Sequence, residues 1–188
     1  MSTLIDRERY QTVYAAARGS IAAPTAGLHF TPAILEALER RGVERAKVTL
    51  HVGYGTFRPV RVEQIEAHTI DPEWFSISEA DADQINAARR EGRRVIAVGT
   101  TTTRALETSA RAGGGIVNAR SGFADLFIYP GHQFLAVDGL ITNFHLPKSS
   151  LLMLASALGG REAVLAAYRE AIARRYHFYS YGDAMLIV

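Results

Sequence analysis

The sequence predicts an α/β fold, with residues 1–188 forming one domain in which helices flank a mixed β-sheet. Three observations predict it. Short apolar runs of strand type alternate with segments that carry helix start and stop signals. No repeat, low-complexity stretch or Pro/Gly/Ser-rich linker divides the chain. Finally, 188 residues, 48% of them hydrophobic and 21% charged, suffice to bury a substantial core within the size of one domain.

The elements follow in order. "GSIAAP" (19–24) reads as a short strand. Thr31 before Pro32 is a helix start, a capping hydroxyl followed by the residue whose missing N–H costs least at the first helical position, and the helix is expected to stop at Gly42. "AKVTLHVG" (46–53) alternates, so Val48, Leu50 and Val52 share one strand face while Lys47, Thr49 and His51 share the other. Ser78 and Asp81 have capping-box spacing ahead of a helix that Gly92 ends. "RRVIAVGT" (93–100) is a buried strand, and the helix between the two strands suggests a crossover unit. "TTTRALETSA" opens the next helix, and the glycines at 113–115 break it. "ADLFIYP", "QFLAVDG" and "LITNF" (124–144) are strand candidates, and "SSLLMLASALGG" is a short buried helix. Val164, Leu165, Tyr168 and Ile172 form the inward stripe of a further helix, and "DAMLIV" ends the chain as a strand.

Composition excludes several classes. With no cysteine there is no disulfide, thiolate ligand or cysteine nucleophile, which fits a reducing compartment, and a cytoplasmic location is expected. No apolar stretch approaches the roughly 20 residues that span a bilayer, and "MSTLIDRERYQ" is too polar for a signal peptide, so no membrane partner is expected. The net charge is only +2, yet residues 161–177 hold four arginines, which permits a polyanionic partner.

The candidate chemistry starts at "GTTTTRALE" (99–107), where four threonines and an arginine sit at a strand-to-helix junction although threonine is a mediocre helix former. Free N–H groups at a helix start, joined by hydroxyls, bind anionic or electron-rich atoms, and Arg104 adds a planar fork of donors. The plain alternative is one capping threonine, others that satisfy backbone, and a solvated Arg104. Three histidines stand at strand-to-loop transitions: His29 in "PTAGLHF", His51 in "LHVGYGTF" and His145 in "TNFHLPKSS". Singly each is more often structural; as a trio they suggest one cleft that exchanges protons near neutral pH. No close metal-ligand spacing such as HExxH occurs, so no metal is expected.

The segments "YQTVYA", "GSIAAPTAGLHF", "VTLHVGYGTFRPV", "RVIAVGTTTTRALE", "LITNFHLPKSSLLMLASALGG" and "AYREAIARRYHFYSYGDAML" together resemble the S-adenosylmethionine:tRNA ribosyltransferase-isomerase family of queuosine biosynthesis, in uninterrupted order from about Asp6 to Val188. The resemblance implies transfer and isomerisation of the ribosyl part of S-adenosylmethionine onto 7-aminomethyl-7-deazaguanine at the tRNA wobble position, giving epoxyqueuosine and releasing adenine and methionine. The sulfonium substrate brings its own activation, so proton transfers carry the chemistry and no further cofactor is implied. Carried onto this chain, His51 and His145 become the leading proton-transfer candidates, with His29 third. Thr100, Thr101, Thr102, Arg104 and Asn143 would line the substrate pocket, and Asp183 would orient a histidine or bind ribose hydroxyls. Lys148, Arg174 and Arg175 would contact tRNA phosphates, and Tyr179 and Tyr181 would stack on an extruded base, with a core role as the alternative. Family members are longer, with an N-terminal stretch and an inserted small all-β domain that the resemblance does not reach here; a second polypeptide supplying that portion is one expectation. An inactive tRNA-binding fragment and a small-molecule nucleoside enzyme using the same pocket are the alternatives.

Overall fold

The computed structural model describes residues 10–53, 60, 62 and 64–188. In chain order these form α1 (Pro32–Arg40), β1 (Val48–His51), β2 (Glu73–Ile77), α2 (Glu79–Arg90), β3 (Ile96–Val98), α3 (Thr100–Ala112), β4 (Arg120–Ala124), β5 (Gly139–Asn143), α4 (Ser150–Gly159), α5 (Arg161–Ala173) and β6 (Ala184–Ile187), with 3₁₀ turns at Thr25–His29 and Ile65–Ala67. The α/β class and the mixed sheet both hold. The mixed sheet is β3-β5-β6, in which β5 runs parallel to β3 and antiparallel to β6. A second sheet, β1-β2-β4, is antiparallel throughout.

The helix signals act where the sequence places them. Thr31 accepts from the Ile34 N–H at α1, Ser78 from the Asp81 N–H at α2, and Ser149 from the Leu152 N–H at α4. Gly42 and Gly92, just past α1 and α2, take the left-handed backbone that closes a helix end (φ +74° and +70°).

The sheets depart from expectation in four places. Glu73–Ile77 is a strand that the sequence hides, because Glu73 holds an inward position beside Phe75 and Ile77 and breaks the apolar alternation. The crossover assigned around α2 does not occur, since β1 and β3 belong to different sheets; the parallel pair is β3 and β5, with α3 and β4 between them in sequence. The 124–139 region holds no strand apart from the ends of β4 and β5, and residues 19–24 contribute only the bridge from Ala22 to Val52. In α5 the inward stripe runs through Val164, Tyr168 and Ala171, while Ile172 is 64% exposed.

One core joins the two sheets. Phe75, Ile77 and Ala124 of the antiparallel sheet and Ala97 and Leu140 of the mixed sheet meet Ala105, Leu106 and Ala110 of α3, which contacts both sheets. Two buried charges hold α3 in place. Arg104, 5% exposed, is paired with Glu73 on β2. Glu107 accepts hydrogen bonds from the N–H groups of Leu135, Ala136 and Val137 (2.8, 2.9 and 3.0 Å), securing the irregular segment before β5. A smaller cluster of Phe144, Val164, Tyr168 and Ala171 seats α5. Among the described residues no single helix is long and apolar enough to cross a membrane.

Candidate functional site

The parallel pairing of β3 and β5 brings their C-terminal ends to one edge of the mixed sheet, the place where open α/β sheets hold ligands. After β3 the chain turns at Gly99, whose φ of +92° a side chain would strain, and enters α3 directly. The Gly99 N–H donates to the Ile141 carbonyl (2.8 Å), which ties the start of α3 to β5. Around this junction lies a pocket lined by Ala23 to Ala26, Val52, Gly99 to Thr102, Thr142, Asn143, His145, Leu146, Ser149, Leu151, Tyr179 and Ser180.

Its floor is the first turn of α3. No side chain caps this helix, and its first N–H groups have no intrahelical partner. The four threonines divide the work. Thr102 and Thr103 donate their hydroxyls back to the Val98 and Gly99 carbonyls (2.8 and 3.1 Å), whereas no hydrogen bond engages the hydroxyls of Thr100 and Thr101 among the described residues. The floor thus presents spare donors and the positive end of a helix dipole.

The wall comes from β5 and the loop after it. Asn143 donates from Nδ2 to the Gly182 carbonyl (3.3 Å) and meets Nε2 of His29 at 3.2 Å. His29 is exposed at the end of its 3₁₀ turn, and Gly27 in that turn lies under the Tyr14 hydroxyl, which a Cβ there would have to displace (2.2 Å). His145 is 9% exposed, with Nε2 at 2.8 Å from the Thr142 hydroxyl and its backbone N–H donating to the Tyr168 hydroxyl (2.7 Å). Burial draws its pKa down to about 4, so the imidazole is neutral at pH 7; burial also pushes the Tyr168 hydroxyl up to about 12.

Thus Thr100, Thr101, Thr102, Asn143 and His145 meet in one pocket, and His29 adjoins it through Asn143. The other expected site residues lie elsewhere. His51 sits on the outer face of β1 against Trp74, ring centroids 4.5 Å apart, and only its neighbour Val52 reaches the pocket. Arg104 points into the core at Glu73, because an inward charge on β2 needs a buried partner; it does not line the pocket. Asp183 accepts from the His177 N–H (2.7 Å) in the turn before β6. Lys148 and Arg175 are exposed, and Arg174 is paired along its own helix with Glu170 (2.5 Å). Residues 54–59 of the "GYGTF" motif lie outside the described residues. Sequence reasoning passed over Thr142, Ser149 and Ser180; the first could have been read from its place beside Asn143 at a strand end, and the second from its helix-capping position. Among the described residues no group of three or more His, Asp or Glu side chains is arranged to hold a metal ion.

The family described as "Queuosine biosynthesis protein" matches residues 1–187. A protein of Heliobacterium modesticaldum named S-adenosylmethionine:tRNA ribosyltransferase-isomerase is 61% identical over 183 residues, covering 97% of this chain and 53% of the relative. One of the same name from Geobacter sulfurreducens is 60% identical over 182 residues, covering 97% and 53%. The crystal structure of an S-adenosylmethionine tRNA ribosyltransferase from Thermotoga maritima superposes with a TM-score of 0.70 at 44% identity, covering 87% of this chain and 51% of that one. The chain spans about half the length of the curated relatives it matches.

Proposed function

Since this chain belongs to the queuosine biosynthesis protein family, we propose that residues 1–188 act as one α/β domain that transfers and isomerises the ribosyl part of S-adenosylmethionine onto 7-aminomethyl-7-deazaguanine in tRNA. S-adenosylmethionine and the modified tRNA are its substrates, and no further cofactor takes part. The observation that carries the reading is the pocket at the β3/β5 edge, lined by Asn143, by the open start of α3, and by Thr100 and Thr101, whose hydroxyls no hydrogen bond engages among the described residues. Such a floor suits the electron-rich atoms of a nucleoside or the carboxylate of the methionine tail.

The geometry also redistributes the proton work. His29 is exposed and touches the pocket-lining Asn143, which suits it to exchange protons with a bound substrate. His145, neutral and enclosed, serves as a fixed hydrogen-bonding group that positions Thr142. His51 takes no direct part, and neither does Arg104, which holds the floor in place. Exposed Lys148 and Arg175 offer cations for phosphate contacts, with Arg174 the lesser contributor because Glu170 already engages it.

The relatives are about twice as long, and a second polypeptide carrying the remaining portion would complete the reaction. The decisive experiment is adenine release from S-adenosylmethionine in the presence of tRNA bearing the modified base. The chain is assayed alone and with the remaining portion of the Heliobacterium relative added in trans, and the full-length relative is the control. Release in either case supports the reading; none in both, with an active control, rejects it.

A further inference from the structure

Among the described residues three non-glycine residues adopt a left-handed backbone: Lys148, Arg175 and Tyr179 (φ +57°, +60° and +76°). Arg175 follows the last turn of α5, where such a backbone closes a helix, and the Tyr176 N–H donates to the Ala171 carbonyl (2.9 Å). Tyr179 has no helix to end. Its backbone is clamped on both sides instead: its N–H donates to the Phe144 carbonyl (2.9 Å) and its carbonyl accepts from the Gly182 N–H (3.0 Å). Asn143 donates in turn to the Gly182 carbonyl, so the turn at 179–182 is fastened to the end of β5 that builds the pocket. Glycine would adopt this backbone freely, whereas a bulky aromatic adopts it at a cost.

Core packing does not account for that choice. Phe144 and Tyr168 fill the adjoining cluster, while Tyr179 is 42% exposed and lines the pocket together with Ser180. Tyr10 and Tyr181 gather beside it, their rings 5.7 Å apart. An aromatic residue with a clamped backbone, lining the same pocket as a floor of hydroxyls and N–H groups, matches a flat heterocycle that presents a π-face on one side and a polar edge on the other.

Resting on the reading above, we propose that the Tyr179 ring is the stacking wall of this pocket for a purine-type base, and that the strained backbone is retained to place it. Two bases of that chemistry belong to the reaction, the adenine of S-adenosylmethionine and the deazaguanine of the tRNA. The test compares the full chain with Tyr179→Gly and Tyr179→Phe. Calorimetry measures binding of S-adenosylmethionine, and of an anticodon stem-loop carrying 7-aminomethyl-7-deazaguanine, alongside the melting temperature. The glycine variant should melt within a few degrees of the parent, because it relieves the backbone, yet lose roughly 5- to 150-fold in affinity for one of the two ligands; the phenylalanine variant should keep that affinity. Loss confined to S-adenosylmethionine assigns the wall to adenine, and loss confined to the stem-loop assigns it to the tRNA base. If the parent binds and the glycine variant binds both ligands equally well, or if affinity falls only in step with melting temperature, the stacking assignment is overturned while the reaction assignment stands. A parent that binds neither ligand, alone or with the remaining portion of the Heliobacterium relative added in trans, removes the reaction assignment and the wall with it.

Discussion

His145 gives a pH test of the pocket wall. In the folded chain its pKa is about 4, drawn down by burial, against about 6.5 for an exposed imidazole. Between these values the unfolded chain binds one more proton than the folded chain, so stability rises with pH across the interval and is lost as the pH falls from 6.5 towards 4. From pH 7 to pH 5 the loss assigned to this residue is about 2 kcal/mol, from 1.36 kcal/mol per pKa unit and the fraction protonated at each end. For a chain of this size that corresponds to a fall of roughly 4–8 °C in melting temperature. Carboxylates add a slope of their own below pH 5, so the measurement is the difference between the parent and His145→Gln, whose amide can still meet the Thr142 hydroxyl but cannot titrate. The two curves, obtained from urea denaturation at half-unit steps, should converge as the pH falls towards 5. Parallel curves from pH 7 to pH 5 would refute the buried, neutral imidazole and restore His145 as a candidate acid.

Replacing Arg104 by Leu alone should destabilise the fold by about 3–5 kcal/mol, because it takes the guanidinium away from the buried Glu73 carboxylate, and the double change with Glu73→Leu should recover part of that loss; denaturant midpoints read both. Glu107→Gln, which leaves one of three N–H groups without a good acceptor, should cost roughly 1–3 kcal/mol in the same assay. Thr100→Val with Thr101→Val should weaken S-adenosylmethionine binding several-fold while the melting temperature holds, since among the described residues no hydrogen bond engages those hydroxyls; a melting temperature that falls with affinity would make them structural. Arg175→Ala should flatten the salt dependence of tRNA binding by about 0.7–0.9 in log–log slope, and Arg174→Ala by less, because Glu170 competes for it.

Local signals made much of this fold legible. Thr31 with Pro32, Ser78 with Asp81, and the positive-φ glycines act within a few residues of themselves, so the sequence alone displays them. The strand at Glu73–Ile77 was hidden because its inward charge is paired with Arg104, 31 residues on. The same long-range pair explains why Arg104 looked like a ligand residue: a guanidinium one turn into a polar junction reads as exposed until the partner strand is known. The threonine run was readable as the lining of a pocket from its position after a buried strand. That among the described residues Thr102 and Thr103, and not Thr100 and Thr101, spend their hydroxyls on backbone depends on which carbonyls of β3 and its turn are in reach, which is a matter of backbone geometry. His51 was correctly turned from the apolar face, but the face it joined belongs to another sheet.

The helix that forms the pocket floor is also the one that both sheets grip and that Glu73 and Glu107 fasten. Its hydrogen-bonded amides, from Thr103 onward, should therefore exchange with deuterium only when the whole fold opens, so the floor is anchored in the most protected part of the molecule rather than in a fluctuating rim. A ligand that docks on Thr100 and Thr101 consequently cannot stabilise them in isolation. By mass action it raises the melting temperature of the entire cooperative unit, by an amount set by its concentration relative to its dissociation constant. A thermal-shift screen of nucleosides and sulfonium compounds against this chain would register each binder at this pocket without a substrate, a product or turnover.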